Sequence, residues 1–262
     1  MGTSQDNVVP FPHRSSRPRI QAVLRQADSG SRPFLARADN GELYWCKYPT
    51  SDHGLEAVVN EVVASVVGER IGAPVRPWTI LDVSTELVGT TQGEGERIFR
   101  LRGDPLFGSL DLHRAETAYH IDSVSKDGNY DHFPMLIALW TLCDAGDIQM
   151  LYALEDMSVC SIDHGFWFGS FMGMPWDLGM PNDESFPALR AKIPDVHWQR
   201  AIETVEEVDA GDVPLSEAFR SAVPVEWGID DVRLDDLADF VCQNKSLAVD
   251  RLVDYRQRYG MR

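Results

Sequence analysis

Five polar side chains stand where apolar runs end or pause, and their types are those that phosphoryl transfer needs. Lys47 closes the run Leu43-Tyr44-Trp45-Cys46. Glu61 follows 14 residues later inside a valine-rich stretch. Asp144 comes directly after the apolar segment 132–143, Gln149 lies five positions beyond it, and Asp163 stands in "SIDHG", residues 161–165. A lysine neutralises and orients nucleotide phosphates, and a glutamate can hold that lysine in place. An aspartate opening a loop can orient an attacking hydroxyl or take its proton. A side-chain amide and a second aspartate offer the oxygen ligands that a magnesium ion prefers.

Each of the five needs an element to position it. Residues 1–18 read as a disordered tail, and "RIQAVLR" (19–25) as a short apolar segment. "FLARADNGELYWCKY" (34–48) predicts a β-hairpin, Phe34–Arg37 and Glu42–Tyr48, turning at Asp39-Asn40-Gly41, where Asn-Gly supplies positive φ values. Lys47 then ends its second strand. Between 51 and 75, apolar residues at 55, 58, 59, 62, 63, 66, 67 and 71 keep helical spacing, with Gly72 as the stop and Pro74 just beyond. Counting about 100° per residue from Leu55, Glu61 falls away from the centre of that stripe. Such a polar face looks either into a cleft or into solvent, and Glu56 is the rival acid on the same helix.

"VRPWTILDV" (75–83) predicts a strand leading to a glycine-rich polar loop at 89–97, and 105–132 reads as loop-rich and acidic. "HFPMLIALWTLC" (132–143) predicts a buried helix with Pro134 in its first turn. Asp144 would be a poor choice merely to end that helix, since the dipole disfavours negative charge there. "MLYAL" (150–154) and "SVCSI" (158–162) predict a short hairpin delivering Asp163, with Gly165 expected to permit the turn that aims it. Helices are expected near 197–208, 214–222, 232–243 and 245–258. The order is α+β: a β-rich lobe over 19–100 carrying one helix, then a mostly helical lobe over 101–262.

A formal net charge of −17 argues against binding to nucleic acid or an anionic membrane. It leaves room for a nucleotide held by local cations or a metal. No apolar run is long enough to cross a bilayer, and residues 1–19 carry no apolar leader core, so a cytoplasmic location is expected. Cys46, Cys143, Cys160 and Cys242 show no paired spacing and read as small buried hydrophobes. The histidines at 113, 120, 132 and 164 match no usual metal-ligand pattern, and His164 reads as structural. The seven tryptophans read as core rather than as a base-stacking platform.

Together, "SGSRPFLARADNGELYWCKY", "NEVVASVVGERIGAPV", "LWTLCDAGDIQMLY" and "CSIDHG" resemble the HipA-like family of bacterial serine/threonine kinases in compact form. The resemblance covers roughly residues 28–168 and implies a two-lobed, protein-kinase-like fold with ATP and Mg²⁺ between the lobes. It further implies Lys47 as the phosphate lysine, with Glu61 holding it. Asp144 becomes the catalytic aspartate, and Gln149 and Asp163 the metal ligands. Ser29, Gly30 and Ser31 sit where the family has its phosphate-covering loop, with Ser29 and Ser31 as autophosphorylation candidates. The implied partners are ATP and a protein substrate, with an antitoxin or regulatory protein as in relatives that act in toxin–antitoxin or stress systems.

One stretch departs from the family. Where it typically has a basic residue or histidine and then asparagine after the aspartate, "DAGDIQ" has no cation, an extra acid at Asp147, and glutamine at 149. Glutamine keeps a carbonyl ligand but adds about 1.5 Å of reach, and magnesium tolerates little error in its octahedron. A pseudokinase that binds nucleotide or a protein partner without turnover therefore stands beside the active enzyme. A small-molecule kinase is a third reading. The acidic C-terminal helices read as a solvated face, with "LAVDRLVDYRQRYGMR" alternatively a partner helix.

Overall fold

The computed structural model describes residues 17–28, 32–49, 53–93, 98–179, 181 and 186–261. Most of the tail expected at 1–18, and the loop candidates Ser29, Gly30 and Ser31, lie outside the described residues.

The N-terminal part is built on a five-stranded barrel. Its strands are β1 (Arg19–Gln26), β2 (Phe34–Ala38), β3 (Leu43–Lys47), β4 (Trp78–Val83) and, after the two-residue pair β5 (Thr91–Gln92) and β6 (Phe99–Arg100), β7 (Leu106–Leu110). The order around the barrel is β1-β2-β3-β7-β4, closed by a short parallel pairing of Arg19 and Ile20 with Asp82 and Val83. The hairpin β2–β3 forms where the sequence puts it. Its turn, however, has only Gly41 at positive φ (88°): Ala38 and Glu42 close a three-residue loop, and Asn40 stays out of the left-handed region. That is the type I turn with a following left-handed glycine.

α1 (Gly54–Ile71) runs between β3 and β4 and stops at Gly72, φ 70°. It packs on β7 above and on helices of the C-terminal part below. Val58, Val59, Val62, Val63 and Val67 are fully buried, and so are Asn60 and Glu61. The stripe-and-face pattern expected for this helix is therefore corrected: α1 is enclosed almost all round.

Residues 105–132, expected as loop, contain two strands. β7 lies between β3 and β4, pairing Lys47 with Phe107 and Trp78 with Ser109. It thus belongs to the barrel although it lies beyond residue 100. Its sequence, Leu-Phe-Gly-Ser-Leu, is short and holds a glycine, and the pleat around that glycine is filled by Leu81, which a Cβ at Gly108 would meet at 2.3 Å. β8 (Ala115–Ala118) adds a third strand to the predicted hairpin of β9 (Gln149–Ala153) and β10 (Val159–Ile162), in the order β10-β9-β8.

α2 (Asn129–Leu142) begins three residues earlier than expected, so Pro134 sits in its second turn. The helix forms the spine of the C-terminal core, with Phe133, Leu136, Leu139, Trp140 and Leu142 fully buried. Around it lie α3 (Asp195–Glu206), α4 (Leu215–Ala222), α5 (Asp231–Gln243) and α6 (Lys245–Tyr259). β11 (Ile193–Pro194) and β12 (Gly260–Met261) pair in parallel beside α3. α6 already buries Ala248, Leu252 and Tyr255 against α2 and α3, so its apolar side is core. Trp140, Trp167 and Trp198 are wholly buried. All four cysteines are free, Cys46 and Cys143 buried and the other two half-buried. No helix among the described residues is long and apolar enough to cross a membrane.

Candidate functional site

Three of the residues picked out by sequence converge on one point. Lys47 Nζ lies 2.5 Å from Glu61 Oε1 and 2.5 Å from Asp163 Oδ1, joining β3, α1 and the end of β10. The side chains of Glu61 and Lys47 are 3% and 15% exposed, whereas that of Asp163 is 30% exposed, so the cluster is open on the Asp163 side. Burial alone would disfavour the ammonium. The carboxylates of Asp163 and Glu61 outweigh it and hold the Lys47 pKa above its usual 10.5. Lys47 in turn holds the Asp163 carboxyl below its usual 3.8, with burial opposing. Glu56, the rival acid, sits in the first turn of α1 and has no part in this cluster.

His164 backs the pair from behind. Its Nδ1 is 3.4 Å from Glu61 Oε2, its Nε2 is 3.1 Å from Ser161 Oγ, and its ring lies 4.3 Å from that of Trp167. Burial pushes its pKa below the ordinary histidine value, with Glu61 opposing, so it is a neutral ring wedged behind the glutamate.

Asp144 opens the loop between α2 and β9, and Gln149 is the first residue of β9, paired with Ile162. This loop is fastened to the segment after Asp163. Ala145 forms an isolated bridge with Trp167, the amide of Phe168 donates to the carbonyls of Cys143 and Asp144, and the Trp167 indole donates to the carbonyl of Asp147 at 2.8 Å. Gly146 sits against the Phe166 carbonyl so closely that a Cβ would come within 2.4 Å of it. Asp144 is buried and lines a cavity of about 400 Å³ with Gly146, Asp147, Phe166, Gly169, Ser170 and Phe171. Gln149 donates from Nε2 to Asp147 Oδ2 at 2.6 Å and, more weakly, towards Asp163 Oδ2 at 3.4 Å.

Both aspartates adopt left-handed backbone, φ 47° at Asp144 and 58° at Asp163. Aspartate tolerates this region better than most residues, yet the conformation is strained by about 1 kcal/mol or more and persists only where its surroundings impose it. The turn after β10 is thus made by Asp163 itself. Gly165, expected to permit it, has no positive φ, and a Cβ there would touch Ala57 at an ordinary 3.5 Å. Gly165→Ala is therefore expected to change stability by less than about 1 kcal/mol, whereas Gly146→Ala forces two loops apart and should remove about 2 kcal/mol or more. Chemical denaturation of the two variants checks this contrast.

Sequence reasoning missed Asn60. Fully buried on α1, it donates from Nδ2 towards Gly165 O (3.0 Å), Trp167 O (2.9 Å) and Ser170 Oγ (2.8 Å), and its Oδ1 accepts from the Trp176 indole at 2.7 Å. One side chain thus ties α1 to the chain that follows Asp163. No sequence signal separates it from a solvent-facing helix asparagine.

The donor chemistry fits a magnesium ion. Asp163 and Gln149 offer carboxylate and amide oxygens, and it is the Gln149 amide nitrogen that stands 3.4 Å from Asp163 Oδ2, so the amide would turn over to bring its oxygen to a cation on that carboxylate. Among the described residues no group of three or more His, Cys, Asp or Glu could hold a metal by itself. Magnesium in phosphoryl-transfer sites typically takes one or two protein oxygens and completes its shell with phosphates and water.

Residues 20–127 match the family model described as HipA-like kinase. The match includes Lys47, Asn60 and Glu61, and ends before Asp144, Gln149 and Asp163. No curated protein sequence matches the chain. Among solved structures, the Golgi casein kinase aligns with a TM-score of 0.50 at 11% identity, over 93% of this chain and 76% of that one. A Helicobacter pylori proinflammatory kinase, CtkA, aligns with a TM-score of 0.49 at 11% identity, over 90% and 95% of the two chains. At such identity the first of these likenesses shows the fold: a strand-rich part followed by a helical part, in a protein-kinase arrangement.

Proposed function

We propose that this chain is a HipA-like kinase that transfers the γ-phosphate of ATP, with Mg²⁺, to a serine or threonine of a protein substrate. The observation that carries the reading is Lys47 held between Glu61 and Asp163 at 2.5 Å each, a charged strand-to-helix-to-loop junction open on one side. In this reading Lys47 binds the nucleotide phosphates, oriented by Glu61, and Asp163 with Gln149 holds the cation. The bound magnesium supplies charge neutralisation at the phosphates. Asp144, in the adjoining cavity, accepts a hydrogen bond from the acceptor hydroxyl and takes its proton. A polypeptide acceptor is supported by the exposed Phe171 at the cavity and by the exposed apolar side chains of Met172 and Met174 in the chain that follows it.

ATP turnover and phosphate incorporation, with and without Mg²⁺ or Mn²⁺, test the reading. Wild type is expected to turn over, and Asp144→Ala and Asp163→Ala to lose about 10²–10⁴-fold in rate. Asp144→Ala should keep nucleotide binding, while Asp163→Ala should lose its metal dependence. A wild type that binds nucleotide without turnover would establish the pseudokinase instead, which the glutamine at 149 motivates. A wild type that binds no nucleotide would overturn the active kinase and the nucleotide-binding pseudokinase, and reduce the reading to the fold.

A further inference from the structure

The cavity beside Asp144 is lined in a way that selects by charge. Its two charged side chains, Asp144 and Asp147, are both acids, and no lysine or arginine lines it. Gly146 and Gly169 contribute backbone alone. The Ser170 hydroxyl is turned into the buried network with Asn60, Gly165 O and Trp167 O. Phe166 and Phe171 pack ring to ring at 4.9 Å, and Phe171 is 60% exposed. Lys47 is committed to Glu61 and Asp163. Asp147 is half-buried, and its partners are neutral: its Oδ2 accepts from the Gln149 amide and its carbonyl from the Trp167 indole. Among the described residues no cation pairs with it. A carboxylate partly withdrawn from water and left without a counter-charge favours a cationic visitor.

We infer that Asp147 is a specificity-determining residue of the acceptor cavity: with the exposed ring of Phe171, it receives a basic side chain, arginine above all, that flanks the serine or threonine offered to Asp144. This deepens the kinase reading and rests on it. The cavity, about 400 Å³, has more room than a serine side chain alone takes up. A guanidinium is planar, so it stacks on an aromatic face while its N–H groups donate to a carboxylate. An acidic neighbour would instead meet two carboxylates, and such like-charge contact rejects wrong partners. The added acid of "DAGDIQ" thus has a use in acceptor choice.

The test is phosphorylation of three peptides that differ only in the residues on both sides of a central serine: arginine, alanine or glutamate. Salt of about 0.15 M screens the long-range attraction of a chain at −17 for any basic peptide. Wild type should prefer the arginine peptide to the alanine peptide by about 10-fold or more in kcat/KM, the scale of one hydrogen bond to a charged group, and should use the glutamate peptide least. Asp147→Asn keeps shape and an acceptor for Gln149, and should bring the arginine-to-alanine ratio close to one. Asp250→Asn removes the same charge from the exposed face of α6 and should leave the ratio as in wild type. Should Asp147→Asn fail to fold, Phe171→Ala at an exposed ring reads the same pocket, and its arginine preference should fall by about 2–5-fold. Equal rates on the three peptides in wild type, or an arginine preference that survives both variants of the cavity, would overturn the inference. Peptide binding without ATP, read by fluorescence anisotropy, separates this failure from that of the kinase reading. A wild type that transfers no phosphate, yet binds the arginine peptide more tightly in a way that Asp147→Asn loses, keeps the pocket and overturns the kinase. Transfer without discrimination overturns the pocket and keeps the kinase.

Discussion

Lys47→Met should abolish phosphoryl transfer and weaken the fold, because it leaves Glu61 and Asp163 beside each other without their shared cation. Breaking a buried ion pair by removing one partner costs about 3–5 kcal/mol. Asp163 is 30% exposed, so the lower end, about 3 kcal/mol, is expected. Turnover should fall by about 10²–10³-fold or more, as for other donors aimed at transferring charge. The pH dependence carries a signature. In wild type the depressed Asp163 carboxyl contributes stability that is full above its usual 3.8 and is lost as pH falls through the folded value below that. The raised Lys47 contributes stability that is full below 10.5 and is lost as pH rises through its folded value. Between these limits the cluster's contribution is flat. In Lys47→Met the depression of Asp163 is gone while its burial remains, so the gap between variant and wild type should narrow as pH is lowered from 7 towards 4. Urea denaturation at several pH values measures this. A constant gap would mean that Lys47 acts by packing and not by charge.

Asn60→Asp is expected to weaken the fold even more, although it changes one atom. The amino group that satisfies Gly165 O, Trp167 O and Ser170 Oγ becomes an oxygen facing oxygens, in a place with no solvent. Each buried group left unpaired costs about 1–3 kcal/mol, and an unpaired buried charge adds to this. A total near 4 kcal/mol is expected, with residues 165–176 becoming sensitive to limited proteolysis before the rest of the protein unfolds. Ser170→Ala removes one of those partners only, and should lose about 1 kcal/mol. If the two variants prove equally mild, the segment is held by its apolar packing, and Asn60 merely fills space.

The sequence made the order of elements legible because most of them follow local rules. The Asn-Gly turn, the stop at Gly72 and the period of α1 are set within a few residues. β7 was not legible, since five residues with a central glycine acquire strand character only when β3 and β4 flank them. Glu61 could be placed on α1 but not assigned a face, because a helix enclosed on nearly every side has no solvent face from which to count. Lys47, Glu61 and Asp163 are brought together across 116 residues by the barrel and the short sheet, and only their order and types hinted at this. Asn60 went unseen for a related reason: its partners are two backbone carbonyls, a serine hydroxyl and an indole more than 100 residues away, which leave no mark in the sequence.

The ammonium of Lys47 has two claimants under the proposed reading. A phosphate oxygen and Asp163 Oδ1 want the same protons, and Asp163 is a tethered competitor that never diffuses away. Nucleotide alone must therefore work against an internal counter-ion, and its apparent affinity is reduced accordingly. A divalent cation that draws Asp163 towards itself relieves this competition, and by linkage nucleotide must then raise the affinity for the cation by the same factor. The short ion pair thus makes the two ligands cooperative, and the cleft answers to their complex more than to either one alone.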